Sequence, residues 1–85
     1  MDTKLTLSNG TELQGSYAIQ IGNTLWVYCY AEITFGQLFA LLNDPEKVEA
    51  ITMTQGDTET DFDGFTELFC IRKEDAGFIS AGLRK

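Results

Sequence analysis

The sequence predicts an α+β domain: a mostly antiparallel, bent sheet of about six strands in the order β-β-β-α-β-β-β, with one short helix packed on it. Three observations predict it. Short segments rich in β-branched and aromatic residues recur along the chain, and glycine-containing turn signals separate them. One segment alone, residues 34–43, combines a helix start signal, helical spacing of apolar residues and a stop.

The first element is a hairpin. Lys4-Leu5-Thr6-Leu7 alternates, Asn9-Gly10 follows, and Thr11-Glu12-Leu13-Gln14 returns. Asn-Gly suits a type I′ turn because both residues tolerate positive φ. Gly15 marks a bend, and extended structure resumes over residues 17–21. Gly22-Asn23 places glycine first, as a type II′ turn requires. The strand after it, residues 24–30, is apolar on both faces: Leu25, Val27 and Cys29 point one way, Trp26, Tyr28 and Tyr30 the other.

The helix is specified most fully. Thr34 serves as N-cap, Gln37 completes a capping box, and Ile33 with Leu38 forms a hydrophobic staple. Phe35, Leu38, Phe39 and Leu42 share one face. Asn43 ends the helix in the left-handed conformation, and Asp44-Pro45-Glu46-Lys47 is a turn. Residues 48–54 then read as a strand and Gln55-Gly56-Asp57 as a turn. Residues 58–72 read as one long strand broken near Gly64, with Phe65, Phe69 and Ile71 opposite Leu68 and Cys70. A loop over residues 73–77 and a strand over residues 78–83 complete the order.

Eighty-five residues make one domain, 1–85. Such a chain buries roughly 60–65% of the surface that it exposes unfolded, and the 44% apolar share supplies that core. The start, Met1-Asp2-Thr3-Lys4, lacks the basic-then-apolar pattern expected of a secretion signal, and no run approaches the roughly 18 apolar residues of a membrane helix. A cytoplasmic protein, or one incorporated into a virion, is the expectation.

Thirteen acids against six bases give a net charge of −7. That charge repels phosphate backbones and anionic lipid, so neither nucleic acid nor membrane is expected as a partner. Histidine is absent. The chain therefore has no Ser-His or Cys-His nucleophilic pair and no histidine metal ligand. Cys29 and Cys70 sit in apolar runs and read as buried free thiols without zinc spacing. No enzyme activity, catalytic residue, metal or other cofactor is expected.

Asp57, Glu59, Asp61 and Asp63 form the densest charged run. Counted from Glu59, acids occupy the first, third and fifth positions of a calcium-type loop and Gly64 the sixth, but Cys70 stands where a bidentate glutamate belongs. Acids on the solvent face of a strand are the simpler reading. Trp26, Tyr28 and Tyr30 form a ladder that is covered by Leu38, Phe39 and Leu42 of the helix, lies on a subunit interface, or serves as a carbohydrate platform. Arg72, Lys73, Arg84 and Lys85 place the positive charge late in the chain. They protect a sheet edge, or they meet the Asp57–Asp63 region of a neighbouring copy, head to tail. The candidate interface is thus Trp26, Tyr28, Tyr30, Arg72, Lys73, Asp57, Glu59 and Asp61.

The leader Leu5-Thr6-Leu7-Ser8-Asn9-Gly10-Thr11-Glu12-Leu13 resembles the opening of small proteins from the structural-gene clusters of tailed phages and prophages. The helix ending Leu41-Leu42-Asn43-Asp44-Pro45, the strand and acidic turn after it, and Gly64-Phe65-Thr66 follow the same order. The resemblance implies a virion-assembly or tail-associated role and self-association or an assembly partner. It carries no catalytic residue. A small protein- or peptide-binding regulatory module is the alternative.

Overall fold

The computed structural model describes residues 2–85 and has eight strands in two antiparallel sheets of four. Met1, where the leader reading begins, lies outside the described residues. In chain order the elements are β1 (Thr3–Thr6), β2 (Glu12–Gln14), β3 (Tyr17–Ile21), β4 (Thr24–Cys29), α1 (Phe35–Leu42), α2 (Pro45–Val48), β5 (Ala50–Gln55), β6 (Thr58–Asp63), β7 (Glu67–Lys73) and β8 (Ile79–Arg84). Sheet A runs β2-β1-β5-β6 and sheet B runs β3-β4-β8-β7. The class is α+β as predicted, but the single sheet of six strands is corrected to two sheets. Each takes one hairpin from either side of the helices.

Two glycines redirect the chain between sheets. Gly15, with φ +74°, follows β2, and its N–H donates to the Thr3 carbonyl at 2.7 Å. Gly64, with φ +84°, follows β6, and its N–H donates to the Glu49 carbonyl at 2.9 Å. At positive φ a side chain is strained, so glycine makes these corners at low cost. The long strand read over residues 58–72 is therefore two strands in different sheets.

The first hairpin forms where predicted, with a different turn. Gly10 takes φ +89°, while no non-glycine residue among those described has positive φ, so type I′ is excluded at Asn9-Gly10. The Gly10 N–H donates to the Leu7 carbonyl and the Leu7 N–H to the Thr11 carbonyl, both at 2.9 Å, which makes a type I turn closed by a glycine bulge. Asn9 instead uses its side-chain oxygen to accept from the Thr11 N–H at 3.1 Å. At Gly22, φ +61° between paired Ile21 and Thr24 agrees with the glycine-first turn.

Helix α1 begins as its sequence dictates. The Thr34 hydroxyl accepts from the Gln37 N–H at 3.1 Å, and the Gln37 side chain accepts from the Thr34 N–H at 3.0 Å. Its end differs: Asn43 has φ −86°, not the left-handed conformation. The expected turn after it is a second short helix, because Asp44 caps through the Glu46 N–H at 3.1 Å and Pro45 occupies the first helical position. Val48 ends that helix and does not start a strand.

One core joins the layers. Leu5, Leu13, Ile51 and Phe62 of sheet A meet Leu25, Val27, Cys29, Ile79, Ala81 and Leu83 of sheet B, with Leu38 and Leu42 of α1 in the same cluster. Phe35 and Phe39, expected on the buried face, are 41% and 42% exposed, because Leu38, Leu42 and the partly buried Leu41 supply the packing stripe. Ser8 fastens the first hairpin to the start of β5: its hydroxyl accepts from the Ala50 N–H at 2.8 Å and donates to the Ala50 carbonyl at 3.0 Å.

Thr34→Ala removes the acceptor for the Gln37 N–H and is expected to cost about 1 kcal/mol. Urea denaturation checks this; a midpoint equal to wild type would mean that the cap contributes nothing to the domain.

Candidate functional site: the aromatic face of sheet B

Strand β4 alternates as the sequence predicts. Leu25, Val27 and Cys29 are buried in the core, and Trp26 and Tyr28 project from the other face, with exposed Tyr30 just beyond the strand. The helix lies on the Leu25–Cys29 side, where Leu38 and Leu42 join the core cluster. The reading in which Leu38, Phe39 and Leu42 cover the aromatic ladder is therefore corrected.

Register completes the face. Tyr17 stands opposite Tyr28 and Ile19 opposite Trp26, while β8 places Ser80 opposite Tyr28 and Gly82 opposite Trp26. All three tyrosines of the chain and its one tryptophan gather here. Tyr17 stacks on Tyr28 with centroids 5.0 Å apart and planes 24° apart, and Tyr30 stacks on Phe78 at 4.9 Å and 19°. Near-parallel rings this close must overlap, since rings lying side by side in one plane would be held farther apart by their edges. The stacked pairs thus cover part of one another's faces. Partial burial, then neighbouring Tyr17, raises the Tyr30 phenol above its ordinary pKa.

A bulge in β7 builds the other half. The β7–β8 register shifts between Leu68 and Cys70, so Phe69 is the extra residue. Leu68 and Ile71 pack towards the core, while Phe69 and Cys70 are both exposed. This corrects two expectations: Phe69 does not share the face of Ile71, and Cys70 is not buried. Cys29 is buried, and both thiols are free. Phe69 meets Trp26 edge to face at 5.5 Å and lies across Gly82, where a Cβ would stand 2.6 Å from its ring. The Arg84 guanidinium sits 4.9 Å above the same ring and pairs with Glu67 at 2.8 Å.

Between these groups lies a depression of about 330 Å³ lined by Trp26, Tyr28, Cys70, Arg72, Glu74 and Ser80. Three of its polar side chains, Arg72, Glu74 and Ser80, pair with one another. Glu74 accepts from the Ser80 hydroxyl at 2.8 Å and from Arg72 Nε at 3.0 Å. The Ser80 hydrogen bond first, then that from Arg72, holds the Glu74 carboxyl below its ordinary pKa. Glu74 in turn raises the Arg72 guanidinium further.

The sequence-derived interface residues separate onto two surfaces. Trp26, Tyr28, Tyr30 and Arg72 belong to the aromatic face, and Lys73 is exposed at the end of β7. Glu59 and Asp61 stand on β6, at the far edge of sheet A, with Asp57 in the turn before it. There Thr52 donates to Asp61 at 2.9 Å. Among the described residues no group of three or more His, Cys, Asp or Glu converges as metal ligands. Sequence reading missed Tyr17, although counting outward from the Gly22-Asn23 turn pairs it with Tyr28. It missed Phe69 and Phe78 because a bulge and a loop set their directions, and local periodicity records neither.

Two outcomes follow from this packing. Gly82→Ala forces the Phe69 ring away and is expected to cost about 1–3 kcal/mol. In a Phe69→Ala background that cost falls by about 1 kcal/mol or more, whereas equal costs would show that the ring does not fill the space. Ser80→Ala moves the Glu74 titration upward, measured by side-chain NMR. Because the folded carboxyl is held low, its contribution to stability is present at neutral pH and disappears as acid protonates it.

No protein-family model, no curated protein and no solved structure matches the chain.

Proposed function

We propose that the chain is a non-enzymatic structural or assembly protein, a virion- or tail-associated component of a tailed phage or prophage, which acts through subunit contacts made by the aromatic face of sheet B. One observation carries the contact surface. The outer face of an antiparallel sheet ordinarily presents polar side chains to water. Here that face holds Tyr17, Trp26, Tyr28, Tyr30, Phe69 and Phe78. Large rings, several with polar tips, are the side chains that anchor protein interfaces. The virion assignment rests on the sequence resemblance.

The ring geometry favours a protein over a carbohydrate. A sugar stacks on an open ring face, and the overlapping Tyr17–Tyr28 and Tyr30–Phe78 pairs cover theirs in part. The depression beside them also suits contact better than catalysis. Glu74, its one carboxyl, is held ionised by Ser80 and Arg72, whereas a general acid or base needs a pKa near the working pH.

The test is co-expression with the head and tail proteins of the phage or prophage that carries the gene, followed by sedimentation of assembled particles. The wild-type chain is expected in the particles, and Tyr30→Glu, which charges an exposed ring position, in the soluble fraction with an unchanged circular dichroism spectrum. Absence of the wild type from particles, or equal partition of the two, would overturn the reading.

A further inference from the structure

We infer that two copies of the chain associate edge to edge through β3, joining their B sheets into one eight-stranded sheet about a two-fold axis. This deepens the reading above, because it names a second copy as the partner at one margin of the aromatic face.

The four sheet edges differ sharply in protection. Exposed edges invite strand addition unless charge, proline, a bulge or shortness blocks it. Strand β2 has three residues and carries the Lys4–Glu12 ion pair. Strand β6 carries Glu59, Asp61 and Asp63. Strand β7 carries Glu67, Arg72 and Lys73 together with its bulge. Strand β3, Tyr-Ala-Ile-Gln-Ile, has no charge, no proline and an unbroken register with β4. It lies within a stretch, residues 13–31, that contains no Asp, Glu, Lys or Arg. Ile19 and Ile21 on it are 47% and 64% exposed.

Backbone geometry sets the pairing. The residues flanking a two-residue hairpin turn exchange hydrogen bonds, so Ile21 bonds to Thr24, and alternation sends Ile19 and Tyr17 towards β4 as well. Ala18 and Gln20 therefore direct their N–H and C=O groups outward. The Ala18 N–H agrees, since it donates to the Met53 sulfur at 3.5 Å. Gln20 is the open position. Antiparallel pairing of Gln20 with Gln20 of a second copy sets Ile19 opposite Ile21 and Ile21 opposite Ile19, two apolar cross-strand pairs on the aromatic face. The segment Ile-Gln-Ile is thus complementary to itself, as a two-fold contact requires.

Charge selects this contact over a head-to-tail one. Copies with net charge −7 repel, and β3 is the edge where they meet without opposing acids. Two of the four bases at the basic end are held within the chain, Arg72 by Glu74 and Arg84 by Glu67, which leaves Lys73 and Lys85 to support a head-to-tail contact. A five-residue strand buries less than the roughly 800 Å² per partner of a standard interface, so the dimer is reversible and concentration-dependent.

Sedimentation equilibrium of the full chain over a range of concentrations and salt tests it. Wild type is expected to pass from monomer to dimer, more readily at high salt, where mutual repulsion is screened. Ile21→Lys, at an exposed position, is expected to weaken the dimer about tenfold or more, with a thermal midpoint equal to wild type at concentrations where both are monomeric. Hydrogen exchange of the Gln20 amide is expected to slow as concentration rises. A wild-type monomer throughout, a dimer indifferent to Ile21→Lys, or association that weakens with salt would each overturn the pairing. The particle experiment then judges the aromatic face separately.

Discussion

The register between β4 and β8 is the constraint on which both the core and the aromatic face depend. It sets Leu25 against Leu83, Val27 against Ala81 and Cys29 against Ile79 on the buried side, and Trp26 against Gly82 and Tyr28 against Ser80 on the other. A slip of one residue would exchange the two faces, putting rings into the core and aliphatic side chains into water. The same pairing ties the N-terminal hairpin of sheet B to its C-terminal hairpin. A single ladder therefore closes the fold and assembles the surface.

Small residues on β8 make that surface possible. Ser80 and Gly82 leave a trough between β4 and β7, and rings from both sides lean into it. Phe69 fills the space above Gly82, and the Ser80 hydroxyl orders Glu74, which in turn holds Arg72. The Phe69 bulge contributes directly, because a regular strand would turn Phe69 or Cys70 inward.

Charge is divided between the two sheets. The β7–β8 hairpin through Lys85 carries four bases, Arg72, Lys73, Arg84 and Lys85, against three acids, Glu67, Glu74 and Asp75, and the β3–β4 hairpin carries no charge at all. The net negative charge thus resides on sheet A, the helices and their loops. Sheet B by contrast carries one more base than acids, all on its β7–β8 side, and its outer face is aromatic.

Local elements with short-range signals were legible along the chain. The capping box of Thr34 and Gln37, the Gly22-Asn23 turn and the two-faced alternation of β4 each depend on residues within a few positions of one another. The sequence also shows that the chain holds no histidine. Tertiary structure decided the division into two sheets, because Gly15 and Gly64 look alike as bulges or as corners until the strands on either side find partners. It decided which face of β4 the helix covers, since both faces are apolar and only packing against Leu38 and Leu42 distinguishes them. It placed Phe69 and Phe78 among the tyrosines, because ring positions across a bulge and a loop are fixed by pairing between strands far apart in sequence, to which local periodicity is blind.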